Sequence, residues 1–114
     1  MTKVQFFNDG VRDRVSGAPA PAVFLEQLRN ERQVASREGR PLTVLSIVCI
    51  NEEFLLRELL TMAKLIEKNL RRGDFYTRIS ESGFWLCIRG DIDAAKIVAE
   101  RLGRKKGRVN PDWR

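Results

Sequence analysis

Two short stretches carry the residue types that could do chemistry. Arg71-Arg72-Gly73-Asp74 sets a guanidinium fork and a carboxylate three residues apart. Arg78-Ile79-Ser80-Glu81-Ser82-Gly83-Phe84 follows, and it runs straight into Trp85-Leu86-Cys87-Ile88. Ser80, Ser82 and Glu81 suggest a hydroxyl nucleophile beside a carboxylate. No histidine or lysine stands near them in sequence to act as a base, so a solvated turn is the favoured reading. The chain has no histidine at all, which removes the usual imidazole base and most zinc sites. Cys49 and Cys87 are far apart and lie in apolar runs. There a free thiol behaves as a small hydrophobe, not as half of a disulfide or a metal pair. No metal ligand set and no cofactor is expected.

The elements that must position these stretches follow from periodicity. Residues 3–7 suit a short strand, and Gly10, Gly17, Pro19 and Pro21 mark a linker after it. Over residues 22–38, Phe24, Leu25, Leu28 and Ala35 have helical spacing, with Pro21 near the first turn and Gly39 as the stop. Residues 42–50 are a nearly unbroken apolar run rich in Val and Ile, which predicts a central strand covered on both faces. Asn51 then suits an N-cap, with Glu52 and Glu53 at the positive end of a helix dipole. Leu55, Leu59, Met62, Ile66 and Leu70 form one stripe of that helix, widened by Leu56, Leu60 and Ala63. Lys68, Arg71 and Arg72 complement its C-terminal end, and Gly73 supplies a stop. Strand, polar turn and strand over residues 75–89 make a hairpin. Asp91 or Asp93 caps a last helix, whose face is Ala95, Val98, Ala99 and Leu102 and whose end is Gly103.

The order is helix, strand, helix, strand, strand, helix. With one more strand it is the βαββαβ pattern of a ferredoxin-like α/β sandwich, a partly antiparallel sheet with helices packed on it. Gly107-Arg108-Val109-Asn110 before Pro111 makes a poor last strand. Three outcomes stay open: a three-stranded sheet, an edge filled by residues 4–7, or an edge covered by a second molecule. Residues 1–21 read as an N-terminal strand and linker, 22–103 as the domain, and 104–114 as a basic tail.

At 114 residues the chain is one domain with a modest core. No run approaches the roughly 20 apolar residues of a membrane span, and the first residues lack a signal-peptide core, so a cytoplasmic location is expected. The formal charge of +6 attracts anionic ligands. Much of it sits in Arg101, Arg104, Lys105, Lys106, Arg108 and Arg114 without interleaved stacking aromatics, so a solvated tail is favoured over a nucleic-acid footprint.

In order and spacing these stretches resemble GGDEF domains, the diguanylate cyclases. The likeness rests on Phe24-Leu25-x-x-Leu28, on Arg37-Glu38-Gly39-Arg40-Pro41-Leu42, on Leu65 through Arg78, and on Ala94 through Leu102. It implies a phosphoryl-transfer fold that joins two GTP into cyclic di-GMP, with magnesium held by an Asp at the end of the first strand and an acid in the signature turn. The resemblance puts Val48 at the first position and Ser82 and Gly83 at the acidic pair, and it puts Ser80 and Glu81 where two glycines admit the nucleotide. Val48, Cys49 and Ile50 offer no hard oxygen. The nucleotide-binding stretch before the long helix is missing. A degenerate, shortened and catalytically inactive domain is therefore expected, with Ser80, Glu81, Ser82, Gly83 and Phe84 as its signature turn.

One ligand feature carries over. Arg71 and Asp74 match the family's inhibitory Arg-x-x-Asp site, in which the fork bonds guanine O6 and N7 and the carboxylate accepts guanine N–H groups. That implies an effector binding cyclic di-GMP. The same residues have a plain structural reading as a helix terminus and a local ion pair. The alternative function is a protein-interaction or dimerisation module with no nucleotide ligand.

Overall fold

The computed structural model describes residues 6, 8–105, 108–109 and 113–114. The expected strand over residues 3–7 lies outside the described residues, apart from Phe6. Helix α1 (Pro21–Glu38) begins on a proline whose missing N–H costs nothing there, and it ends at Gly39 in the left-handed region. Strand β1 (Leu42–Val48) leads to a 3-10 turn (Glu52–Phe54) and helix α2 (Leu55–Asn69). Strands β2 (Phe75–Arg78) and β3 (Gly83–Arg89) form the hairpin, and helix α3 (Ile92–Leu102) follows. Two short strands, β4 (Arg104–Lys105) and β5 (Arg108–Val109), pair with each other.

The sheet order is β1-β3-β2, antiparallel throughout. It is a split βαβ unit: α2 carries the chain from β1 to β2, and β3 returns between them. Because side chains alternate across a strand, the sheet has two different faces. Tyr76, Phe84, Leu86 and Ile88 pack with Leu59, Met62 and Ile66 of α2 and with Val98 and Leu102 of α3. On the other face, Phe24 of α1 meets Phe75 and Cys87, with Leu28, Leu42 and Trp85 at the margin.

Several expectations are corrected. The apolar run at residues 42–50 is an edge strand, not a central one, because β1 and β2 both pair with β3. On the α1 face, that helix covers only the β2–β3 half, which leaves Val44 45% and Val48 40% exposed. Asn51 makes no side-chain cap; the chain takes a 3-10 turn first and α2 starts at Leu55. Leu56 and Leu60 point outward rather than widening the buried stripe. α2 ends at Asn69, and Gly73 instead takes a left-handed turn with φ of 93°. Asp91 does cap α3, accepting from the Ala94 N–H at 3.0 Å.

The segment read as a linker is packed down: Ala18 and Ala20 are fully buried. At the opposite end, Trp113 bridges Cys49, and Val48 and Arg114 exchange two backbone hydrogen bonds of 2.8 and 2.9 Å. These two C-terminal residues thus lie antiparallel against the end of β1, at the place a fourth ferredoxin-like strand would begin. Trp113 is buried against Phe84 and donates to Glu58 at 3.2 Å. No helix among the described residues is long and apolar enough to cross a membrane.

Candidate functional site

The hairpin turn is set against the end of β1. In the strand register Val48 lies opposite Gly83, and Ile47 opposite Phe84. The Cys49 N–H donates to the Ser82 carbonyl at 2.8 Å, and the Ile79 N–H to the Gly83 carbonyl at 3.0 Å. Val48, where the resemblance expects the first metal ligand, therefore faces Gly83, one of the two positions of the acidic pair, across the sheet. Val48 and Gly83 carry no side-chain oxygen, and Ser82, the other position of the pair, has a neutral hydroxyl in place of a carboxylate. A magnesium ion, which demands hard oxygen donors, does not fit this pair. Among the described residues no group of three or more acidic, cysteine or histidine side chains converges as a metal site.

Arg78 closes β2 in a way the sequence did not suggest. Its side chain is fully buried. Its Nη1 donates to Asp13 Oδ1 at 3.0 Å and Oδ2 at 3.3 Å, and its Nη2 donates to the Glu81 carbonyl at 2.8 Å. The guanidinium carbon stands 5.3 Å from the Phe6 ring. Asp13 is held in turn by Ser16, whose N–H and Oγ donate to Oδ2 at 2.6 and 2.7 Å. A buried guanidinium needs a charged partner, and the sequence offers Asp13 only as one acid between Arg12 and Arg14. Its one local signal is the Asp-x-x-Ser spacing, which allows the carboxylate to cap a turn. Arg40 and Arg89 have separate partners, Glu38 and Glu31.

Arg71 and Asp74 do come together, at the other end of the hairpin. Asp74 is 1% exposed at its side chain. Its Oδ2 accepts from the Arg71 N–H at 3.0 Å, and its Oδ1 from the Arg89 N–H at 2.9 Å. The carboxylate ties the turn after α2 to the end of β3. Arg71 is exposed; its Nη2 donates to the Arg89 carbonyl at 3.1 Å, and its Nε stands 3.8 Å from Asp74. Gly73 lets the Arg89 guanidinium lie flat on the turn: a Cβ there would sit 2.7 Å from Arg89 Nη1. Of the pair, Arg71 has the solvent face and Asp74 holds the turn on which it stands.

Phe84, and Cys87 and Tyr76 on the same hairpin, are held by the fold. Phe84 is fully buried between Tyr76 and Trp113, with ring centroids 6.1 and 5.9 Å away. Cys87 is fully buried, and burial first, then the nearby Glu31 and Asp74 carboxylates, push its thiol up to about 12. Tyr76 donates to Glu67 at 2.6 Å, and burial with that bond holds the phenol protonated well above its usual range.

An α/β sandwich on a split βαβ sheet, with its hairpin turn packed against the end of the first strand, defines a fold class. Solved structures that match this chain across much of its length include several GGDEF domains, and in fold this chain is a GGDEF-like domain. It is similar to a microbial GGDEF domain studied for its interaction with cyclic di-GMP, with a TM-score of 0.72 and 17% identity over 81% of this chain and 65% of that one. The GGDEF domain of DgcB from Caulobacter crescentus, solved with cyclic di-GMP, matches with a TM-score of 0.72 and 12% identity over 96% of this chain and 75% of that one. The diguanylate cyclase SiaD from Pseudomonas aeruginosa, solved with its activator SiaC, matches at 0.69 and 26% identity over 81% of this chain and 39% of that one. The chain thus spans under two thirds of the first and well under half of SiaD. No family model and no curated protein matches the sequence.

Proposed function

We propose that this chain is a GGDEF-like signalling domain that acts by binding and does not make cyclic di-GMP. The observation that carries this reading is the register of Val48 against Gly83. Of the positions that would have to share a magnesium ion, Val48 and Gly83 carry no side-chain oxygen and Ser82 only a neutral hydroxyl, a poor set for so hard a cation. Glu81 adds a negative charge beside the turn, which would repel a triphosphate. Incubation with GTP and magnesium or manganese, followed by chromatography, should yield no cyclic di-GMP. Product above background would overturn the reading.

The ligand reading follows from Arg71. Cyclic di-GMP bound in solved GGDEF domains of this fold supports the same nucleotide as the ligand here, gripped by the exposed guanidinium, with Asp74 keeping its turn in place. Calorimetry with cyclic di-GMP should give micromolar binding that Arg71→Ala abolishes.

A protein-interaction role without nucleotide is the second reading. Two observations favour it: both Asp74 oxygens already accept backbone hydrogens, and Val44, Val48 and Ile50 are exposed. Absence of heat at high cyclic di-GMP concentration selects this reading over the first.

A further inference from the structure

Helix α1 leaves one strand of the sheet bare beside it. Leu25 and Arg29 follow the sheet-facing Phe24 and Leu28 by one residue, which turns them about 100° round the helix, and Arg32 and Ser36 continue their row. The N-terminal segment takes the other flank of α1. There Gly10 lines a cleft with Ala22 and Glu26, and Asp13 ties the same segment to β2 through Arg78. The Leu25 flank therefore looks over β1, at the opposite edge of the sheet from β2. An open cleft of about 780 Å³ runs along it, lined by Leu25, Leu28, Arg29, Arg32 and Arg37 among others. Val44 and Val48 stand on the same side of the sheet, opposite Cys87 and Gly83, and both are exposed. Leu28 and Leu42 pack at the margin of the one Phe24 cluster, which joins helix flank to strand.

Charge in this groove has a single sign. Of the acids on α1, Glu31 is drawn to Arg89, Glu38 to Arg40, and Glu26 lies on the far flank with Gly10. Residues 42–50 carry no charge. Arg29, Arg32 and Arg37 form no ion pair with another described residue. We propose that this groove docks an acidic amphipathic helix of a partner protein. The helix lies on β1 beside α1, with its apolar face on Val44 and Val48 and its carboxylates against Arg29 and Arg32.

Shape selects this occupant among anionic ones. With its side chains α1 is about 10–12 Å across, so the β1 strip is the floor of a step of that depth. A flat bilayer resting on the arginines would not reach the valines. A nucleic-acid strand would take the arginines and leave the valines without an apolar partner. A helix fills the step. Leu42 to Val48 spans about 20 Å at roughly 3.4 Å per residue, the length of roughly 14 helical residues, which accommodates an i, i+3, i+4, i+7 set of anchors. The inference deepens the protein-interaction reading by naming its surface and partner class. It can fail while that reading stands, because calorimetry with cyclic di-GMP decides that reading separately.

The probe is a labelled synthetic helix of about 16 residues, with leucines at i, i+3, i+4 and i+7 and glutamates on both flanks. Fluorescence anisotropy with the full chain should give a dissociation constant on the order of 10–100 μM, and a scrambled peptide of equal charge should bind about tenfold more weakly. Val44→Glu should weaken binding about tenfold or more while circular dichroism stays unchanged. Arg29→Glu with Arg32→Glu should do the same, and should give the chain affinity for a lysine-flanked version of the helix that the parent does not bind. Failure of the acidic helix to bind overturns the proposal. So does equal binding of the scrambled peptide, a parent-like affinity in either variant, or parent binding to phosphatidylserine vesicles that Val44→Glu also abolishes.

Discussion

Removing the Asp13 carboxylate should be among the most destabilising single changes available in this chain. The ion pair it forms with Arg78 is shielded at both ends: the side chains are 1% and 0% exposed. Truncation to alanine leaves a guanidinium in the interior without its counter-charge, which costs about 3–5 kcal/mol. The Ser16 N–H and hydroxyl lose their acceptor as well, adding about 1 kcal/mol each where water does not replace it. Against a total stability of about 5–15 kcal/mol, Asp13→Ala leaves a marginal fold. At about 4 °C per kcal/mol for a domain of this size, the melting temperature should fall by roughly 12–20 °C from the ion pair alone, and by up to about 28 °C where both Ser16 bonds are lost as well.

The assay is urea denaturation followed by tryptophan fluorescence and circular dichroism, with the slope in denaturant checked for constancy. Because a buried pair carries its own desolvation cost, the double change Asp13→Leu with Arg78→Met should recover most of the loss, to within about 2 kcal/mol of the parent. An Asp13→Ala loss under about 1 kcal/mol, the range of exposed pairs, would refute the claim that this latch holds the N-terminal segment to the hairpin.

Other outcomes follow from single sites. Gly73→Ala should cost about 1–2 kcal/mol by the same assay, since φ is 93° and the new Cβ displaces the Arg89 guanidinium. Trp113→Ala should cost about 3 kcal/mol by loss of packing on Phe84, whereas Trp113→Phe, which loses mainly the bond to Glu58, should cost about 1. The Cys87 thiol should resist iodoacetamide at pH 8 except through global unfolding, because it is fully buried. Its pKa also sets a sign. The unfolded thiol loses its proton near 9 and the folded one near about 12, so the unfolded chain binds fewer protons between those values. The stability it contributes is complete below pH 9 and lost as pH rises towards 12, and Cys87→Ser should flatten that slope.

What the sequence made legible was local. The inner stripe of α2, the Asp91 cap of α3, the Gly39 stop and the hairpin all rest on interactions within a few residues, and spacing alone reveals those. The position of β1 in the sheet was not legible. An unbroken apolar run has no alternation to betray which face is bare, and edge or centre is decided by which strand β3 pairs with. Asp13 and Arg78 lie 65 residues apart, and nothing local distinguishes a latch acid from one more charge in a basic segment. Trp113 looked like the end of a solvated tail, because its place beside Cys49 exists only once the sheet is formed. At the Arg-x-x-Asp stretch, both the ligand reading and the structural one predicted Arg71 and Asp74 side by side. Only the two backbone hydrogens on Asp74 separate their roles.

The turn from Ser80 to Phe84 is held by its backbone. Its backbone is held at Glu81 by Arg78, at Ser82 by the Cys49 N–H and at Gly83 by the Ile79 N–H. None of these bonds uses a signature side chain. The side chains that the fold does need are Arg78 and Phe84, both fully buried. Space around Gly83 has closed accordingly: a Cβ there would stand 3.0 Å from Ser80 Oγ and 3.1 Å from the Ile47 carbonyl. An acid at this position would therefore push against backbone as well as a hydroxyl. Gly83→Glu should lose about 1–2 kcal/mol in urea denaturation, of which Ser80→Gly should recover only the part due to the hydroxyl. A neutral or stabilising Gly83→Glu would mean that the turn still has room for the acid. The absence of an oxygen ligand opposite Val48 would then be a matter of sequence alone, not of packing.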